Sequence, residues 1–141
     1  ASSIYKRIKS KTEFLQELTR NKQDIVHISA HGKRRRVGTY IITPRGNVFP
    51  QDIRNCKISS KIVFVNACLT SYHDMAKAFL DAGVSFYLAP KTSVYWTDAA
   101  IFPIIFYERL IIKGTTFQAA FRYAKRHTRL GRHYQEYWYQ P

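Results

Sequence analysis

The chain is poor in cysteine, glycine and acid: of 141 residues, two are Cys, six are Gly and nine are Asp or Glu. Cys56 lies in the polar connector RNCKISSK and Cys68 ends an apolar run, which makes no disulfide framework and fits a reducing, cytoplasmic setting. The glycines, at 32, 38, 46, 83, 114 and 131, are too scattered for a glycine-rich phosphate loop or a G-x-S-x-G nucleophile elbow. A zinc site from Cys56, Cys68 and His73 lacks a fourth ligand and any recognised spacing, so no metal or other cofactor is expected. No apolar stretch approaches the ~20 residues of a membrane helix, and no membrane partner is expected. The opening ASSIYKRIKSK carries charge with no apolar segment behind it, unlike a secretory signal. It also lacks an initiator Met, and the expectation is a piece of a larger, regulated protein. Internal repeats and low-complexity linkers are absent, and 1–141 reads as one domain, long enough to fold without staples.

The scarcity of acid leaves a large positive excess. Lys and Arg number 23, the formal net charge is +14, and the cations cluster at 6–11, 33–36 and 122–132. Such a surface attracts nucleic acid, acidic lipid or an acidic partner protein or domain, and by itself carries no chemistry.

Ser10 and Glu13 have capping-box spacing ahead of Phe14, Leu15 and Leu18, predicting a helix over about 11–20. DIVHISA (24–30) and KIVFVNA (61–67) are β-branched and apolar on both faces, as in strands buried in a parallel sheet, and VSFYLA (84–89) is a third. GTYIIT, PRGN and VF read as a hairpin. Met75, Ala76, Phe79 and Leu80 share a helix face that Gly83 is placed to end. A helix capped by Thr97 runs toward Gly114, with Pro103 kinking it or shifting its start. A last helix sets Phe117, Ala120, Phe121 and Ala124 against Arg122, Lys125, Arg126 and Arg129. The basic aromatic tail, 128–141, reads as cover for the sheet, with a partner contact as the alternative. The fold class is therefore α/β, a mainly parallel sheet flanked by helices.

In such sheets chemistry collects beyond the carboxyl ends of the strands. His31 and Cys68 each lie just past one, and both emerge at the same sheet edge if the strands are neighbours. An imidazole there can deprotonate a thiol of pKa ~8.5 and later protonate a leaving amine. The N–H groups of Gly32 and Cys68 are available as an oxyanion hole. His27 is different: at ~3.3 Å per residue it stands ~13 Å from His31, so it reads as a sheet histidine with a hydrogen-bonded ring.

HISAHG, followed 37 residues after its second histidine by the Cys of FVNAC, resembles the caspase-like cysteine peptidases, most closely the CHAT type. The layout of helix, short strand, tryptophan-containing loop and two helices that follows is similar too, so the resemblance covers about 12–127. It implies a caspase-like fold and a cysteine endopeptidase acting on a protein or peptide substrate, with Cys68 as nucleophile, His31 as general base and Gly32 in the oxyanion hole. Asn66 falls where relatives place a residue lining the pocket for the side chain before the cleaved bond. Asp98 matches an acidic position of some relatives; it reads either as a contact for a basic substrate residue or as a helix N-terminal charge. The match departs where no glycine closely follows Cys68, and where neutral Asn66 stands in place of the acid that relatives with basic specificity often carry.

The rival reading is a non-enzymatic basic module, or an inactive peptidase relative. In it Lys33 to Arg36, the basic helix and the tyrosine-rich tail grip nucleic acid or an acidic partner. The two readings meet if the basic face positions a peptidase on an acidic partner, and the cations beside His31 also suit acidic substrates.

Overall fold

Ser10 starts the first helix as its spacing predicts. Its Oγ accepts from the Glu13 N–H (3.1 Å), and the Glu13 carboxylate accepts from the N–H of Lys9 (2.7 Å), one residue further back than a capping box requires. The structure is a computed structural model describing residues 2–129 and 131–138, so the tail's last three positions lie outside the described residues. Helix α1 spans Lys11–Arg20, and the chain continues through β1 (Ile25–Ser29), β2 (His31–Arg35), β3 (Gly38–Thr43), β4 (Gly46–Val48), α2 (Pro50–Arg54) and β5 (Ile62–Asn66). Then come α3 (His73–Asp81), β6 (Phe86–Pro90), α4 (Trp96–Tyr107), α5 (Phe117–His127) and β7 (Tyr134–Trp138).

The protein is mixed α/β. Its main sheet has the order β1-β5-β6-β7, parallel except for β7, which runs antiparallel to β6. A smaller antiparallel sheet has the order β2-β3-β4. Alternation along the central strands sorts two cores. Val63, Val65 and Tyr87 pack with Phe14, Leu18, Ile41, Met75 and Phe79 on one face. Phe64 and Leu88 pack with Phe102, Phe106, Phe117, Phe121 and Tyr134 on the other. Thus α1, α3 and the small sheet cover one side, and α4 and α5 the other. Gly83 ends α3 at φ +113°, and an added Cβ would lie 2.8 Å from the Ile58 carbonyl oxygen.

The structure refines the sequence reading at four points. First, β1 is not doubly buried. It is an edge strand, paired only with β5, and none of its residues is fully buried. Second, the basic run after His31, to which the sequence pattern assigns no element, forms strand β2. Third, α4 begins at Trp96 with Tyr95 as N-cap, so Thr97 is not the cap. The helix runs through Pro103, whose missing N–H leaves the Ala99 carbonyl without its helical donor; Asn66 Nδ2 donates to that oxygen instead, at 2.6 Å. Fourth, the helical run reaches toward Gly114 as expected but changes pitch, ending in a π-helix over Glu108–Ile112 with Lys113 as its C-cap. The tail covers the sheet by joining it as β7, with Tyr134 fully buried.

His27 is the sheet histidine its position suggests. His27 is an exposed residue on the open edge, and its ring packs edge-on to Phe64 (4.7 Å) with Nδ1 hydrogen-bonded to the Tyr107 hydroxyl (2.9 Å). Burial of the ring lowers its pKa from 6.5 to about 4, because the charged form is the one desolvation penalises. The folded state therefore binds fewer protons than the unfolded state between these values. The stability this confers is complete above pH 6.5 and is lost as the pH falls toward 4. Urea midpoints at pH 7.5, 5.5 and 4.5 are expected to fall in the wild type and to fall less in His27→Gln. Equal pH slopes in the two proteins would contradict this account.

Candidate active site

β1 and β5 are parallel neighbours, with Ser29 opposite Asn66 at the end of the register. His31 and Cys68 each lie two residues beyond that pair, so the pairing carries both chains to the same end of the sheet. Contact between the two segments is made by backbone. Gly32 is buried, and a Cβ there would overlap the Cys68 carbonyl oxygen, stand 2.8 Å from Thr70 Cγ2 and 3.3 Å from Ala67 Cβ. Only glycine allows β2 to lie this close to the turn after β5.

That turn is held from several sides. Thr70 Oγ1 donates to the Ala67 carbonyl (2.6 Å), and the hydroxyls of Tyr87 and Tyr137 donate to the carbonyls of Thr70 and Ser71 (2.6 Å each). The N–H groups of Leu69 and Ser71 donate to the carbonyls of Thr92 (3.3 Å), just after β6, and of Pro90 (3.0 Å), its last residue. Leu69 has φ +63°, a left-handed conformation that a residue with a branched side chain adopts only under constraint. The positive φ, which a glycine would take freely, thus falls on the residue directly after Cys68. Cys68 is half-buried, with Sγ 3.9 Å from the Val94 carbonyl oxygen, and its own N–H makes no hydrogen bond among the described residues.

His31 is exposed at the start of β2. Its ring has no hydrogen-bond partner among the described residues, and no hydrogen bond joins it to Cys68. Asn66 is only 7% exposed and both ends of its amide are engaged: Nδ2 donates to the Ala99 carbonyl, and Oδ1 accepts from the Tyr134 hydroxyl (3.1 Å). Burial, then the nearby Asp98 and Cys68, push the Tyr134 hydroxyl well above its usual pKa, so it stays a donor. Asp98 lies in the first turn of α4, with a carboxylate side chain 12% exposed. Its Oδ2 is buried without a hydrogen-bond partner, and Arg129 Nη2 stands 4.0 Å away.

Cys68, Asp98, Tyr134 and Asn66 therefore form one neighbourhood, which Gly32 and His31 join from the β2 side. Sequence reasoning missed Tyr134, the group that ties Asn66 to the tail, because nothing in the periodicity of YQEYW points inward at that residue. It also missed the Val94 carbonyl, since backbone groups leave no mark on composition. Among the described residues no three or more His, Cys, Asp or Glu side chains gather as a metal site, and no helix is long and apolar enough to cross a membrane. No protein-family model matches the chain, and a search of curated proteins gives no match either.

Proposed function

We propose that this chain is a caspase-like cysteine endopeptidase domain, with Cys68 as nucleophile and His31 as general base. The observation that carries the reading is the equal two-residue overhang of His31 and Cys68 beyond the Ser29–Asn66 pair, with Gly32 seated on the Cys68 backbone. In this mechanism His31 takes the thiol proton and Cys68 sulfur attacks the scissile carbonyl. The tetrahedral oxyanion is met by N–H groups of Gly32 and Cys68; the latter is free of other hydrogen bonds among the described residues. His31 then protonates the departing amine, and water, deprotonated by the same ring, releases the acid and restores the thiol. Asn66 braces the site from beneath through Ala99 and Tyr134, and Asp98 Oδ2 offers a buried acceptor to a basic substrate group.

A second reading, an inactive relative serving as a basic binding module, draws on the missing hydrogen bond between His31 and Cys68 and on the excess of cations. Cysteine-selective alkylation followed by mass spectrometry separates the two. The peptidase reading expects Cys68 to label at least tenfold faster than Cys56 at pH 6 and pH 7.5, with the advantage lost in His31→Ala. Cys56 is the internal standard, a half-buried thiol whose Sγ lies 3.5 Å from the Asp52 carbonyl. Equal rates, indifferent to His31, would favour the binding module.

A further inference from the structure

Strand β2 is the outermost strand of its sheet, paired only with β3. Which of its backbone groups are free follows from its partner. Thr39, opposite Arg34, donates its N–H to Asp74 Oδ2 (3.0 Å) and not to Arg34. The Arg34–Thr39 pair is therefore of the non-hydrogen-bonded kind, and by alternation so is Gly32–Ile41. The N–H and C=O groups of Gly32 and Arg34 are directed to the open edge.

Side chains on β2 alternate as well. Gly32 and Arg34 share the face of the buried Thr39 and Ile41, and Arg34, though exposed, folds over that face. Arg34 bonds to Thr39 Oγ1 (2.9 Å), lies 3.4 Å from the Asp74 carboxylate and stacks over Tyr72 at 4.2 Å. Burial opposes ionisation of Asp74, but donation from Thr39 and Met75 and the charge of Arg34 outweigh it and hold its carboxyl below the usual range. Arg34 is thus neutralised in place. His31, Lys33 and Arg35 share the other face; all three are exposed, and neither Lys33 nor Arg35 has an acidic partner among the described residues. Lys33 and Arg35 repeat at two residues, about 6.6 Å, the side-chain period of an extended peptide.

We infer that the open edge of β2 binds an extended acidic segment by strand addition, with acidic side chains at alternate positions reading Lys33 and Arg35. The backbone groups of Arg34 hold the added strand, and the two cations select its side chains. A peptide is favoured over nucleic acid because the edge offers main-chain donors and acceptors. The nearest rings are also unavailable for base stacking: Tyr40 is 8% exposed and Tyr72 lies beneath Arg34. A segment bound here continues past Gly32 toward Cys68. Its role as substrate rests on the peptidase reading above; its binding does not.

The test uses Cys68→Ala protein and fluorescence anisotropy with four labelled probes. These are an octapeptide of alternating Glu and Thr, its isomer with the Glu residues contiguous, the alternating peptide N-methylated on the amides of one edge, and an eight-nucleotide oligothymidylate. The alternating peptide is expected to bind at least tenfold tighter than each of the others. Lys33→Glu combined with Arg35→Glu, at two exposed positions, is expected to remove that preference. No binding of the alternating peptide, equal binding of its N-methylated form or of the oligonucleotide, or indifference to the charge reversal would each overturn the inference. Because binding is read without Cys68, its failure beside fast, His31-dependent alkylation of the wild type leaves the peptidase reading standing. Binding beside sluggish alkylation overturns the peptidase reading alone.

Discussion

Gly32→Ala is expected to lower stability by about 2–3 kcal/mol, in the upper part of the usual range for overpacking a filled site. For a domain of this size that is a fall in Tm of roughly 6–12 °C. The methyl would meet the Cys68 carbonyl, Thr70 Cγ2 at 2.8 Å and Ala67 Cβ at 3.3 Å. None of these can turn aside. Thr70 is pinned by its hydroxyl to Ala67 and by its carbonyl to Tyr87, and Cys68 is followed by the constrained Leu69. The fold can only respond by lifting β2 away from the turn after β5, carrying His31 away from Cys68. The His31-dependent part of Cys68 alkylation is therefore expected to fall at least tenfold, even at temperatures where the variant is fully folded. Thermal melts and the alkylation assay on the same preparation check both parts. A Tm within 2 °C of wild type would show that this close approach is not maintained in solution. A lowered Tm with unchanged alkylation would show that Gly32 serves folding and not the site.

The same contact marks how far the sequence could be read. The strands around Val63 and Leu88, the helix capped by Ser10 and the glycine ending α3 all follow from patterns that act over a few residues. The strand-end placement of His31 and Cys68 also follows, because parallel β-strands of similar length end together. Edge and centre could not be told apart for β1. IVHIS is as apolar as a central strand, and its open side is a property of sheet order that no local pattern records. For β2, four consecutive cations hide the alternation that defines a strand, since what sets Arg34 apart from its neighbours is Asp74, forty residues on. The internal partners of Asn66 were equally beyond reach, one lying on α4 and the other on β7.

Asn66→Leu is expected to cost about 2–6 kcal/mol, because one buried and one part-buried group lose their partner and each unsatisfied group costs about 1–3 kcal/mol. One is the Tyr134 hydroxyl and the other the Ala99 carbonyl. The second arises from a local flaw in α4: Pro103 cannot supply the N–H that would bond the carbonyl four residues before it. Asn66 and Pro103 should therefore be energetically coupled. In a Pro103→Ala background the restored N–H can satisfy Ala99, and Asn66→Leu is expected to cost about 1–2 kcal/mol less than in the wild type, measured by urea unfolding of the four proteins of the cycle. Asn66→Asp makes the opposite test. It keeps an acceptor for Tyr134 but sets a carboxylate oxygen against the Ala99 carbonyl, and it should be rescued by Pro103→Ala least of all. A coupling near zero would mean that Asn66 does not substitute for the missing helical donor. A clear coupling makes the residue two positions before Cys68 the joint between β5, α4 and β7. Its influence on Cys68 would then act by positioning α4 and Asp98, and not by touching substrate.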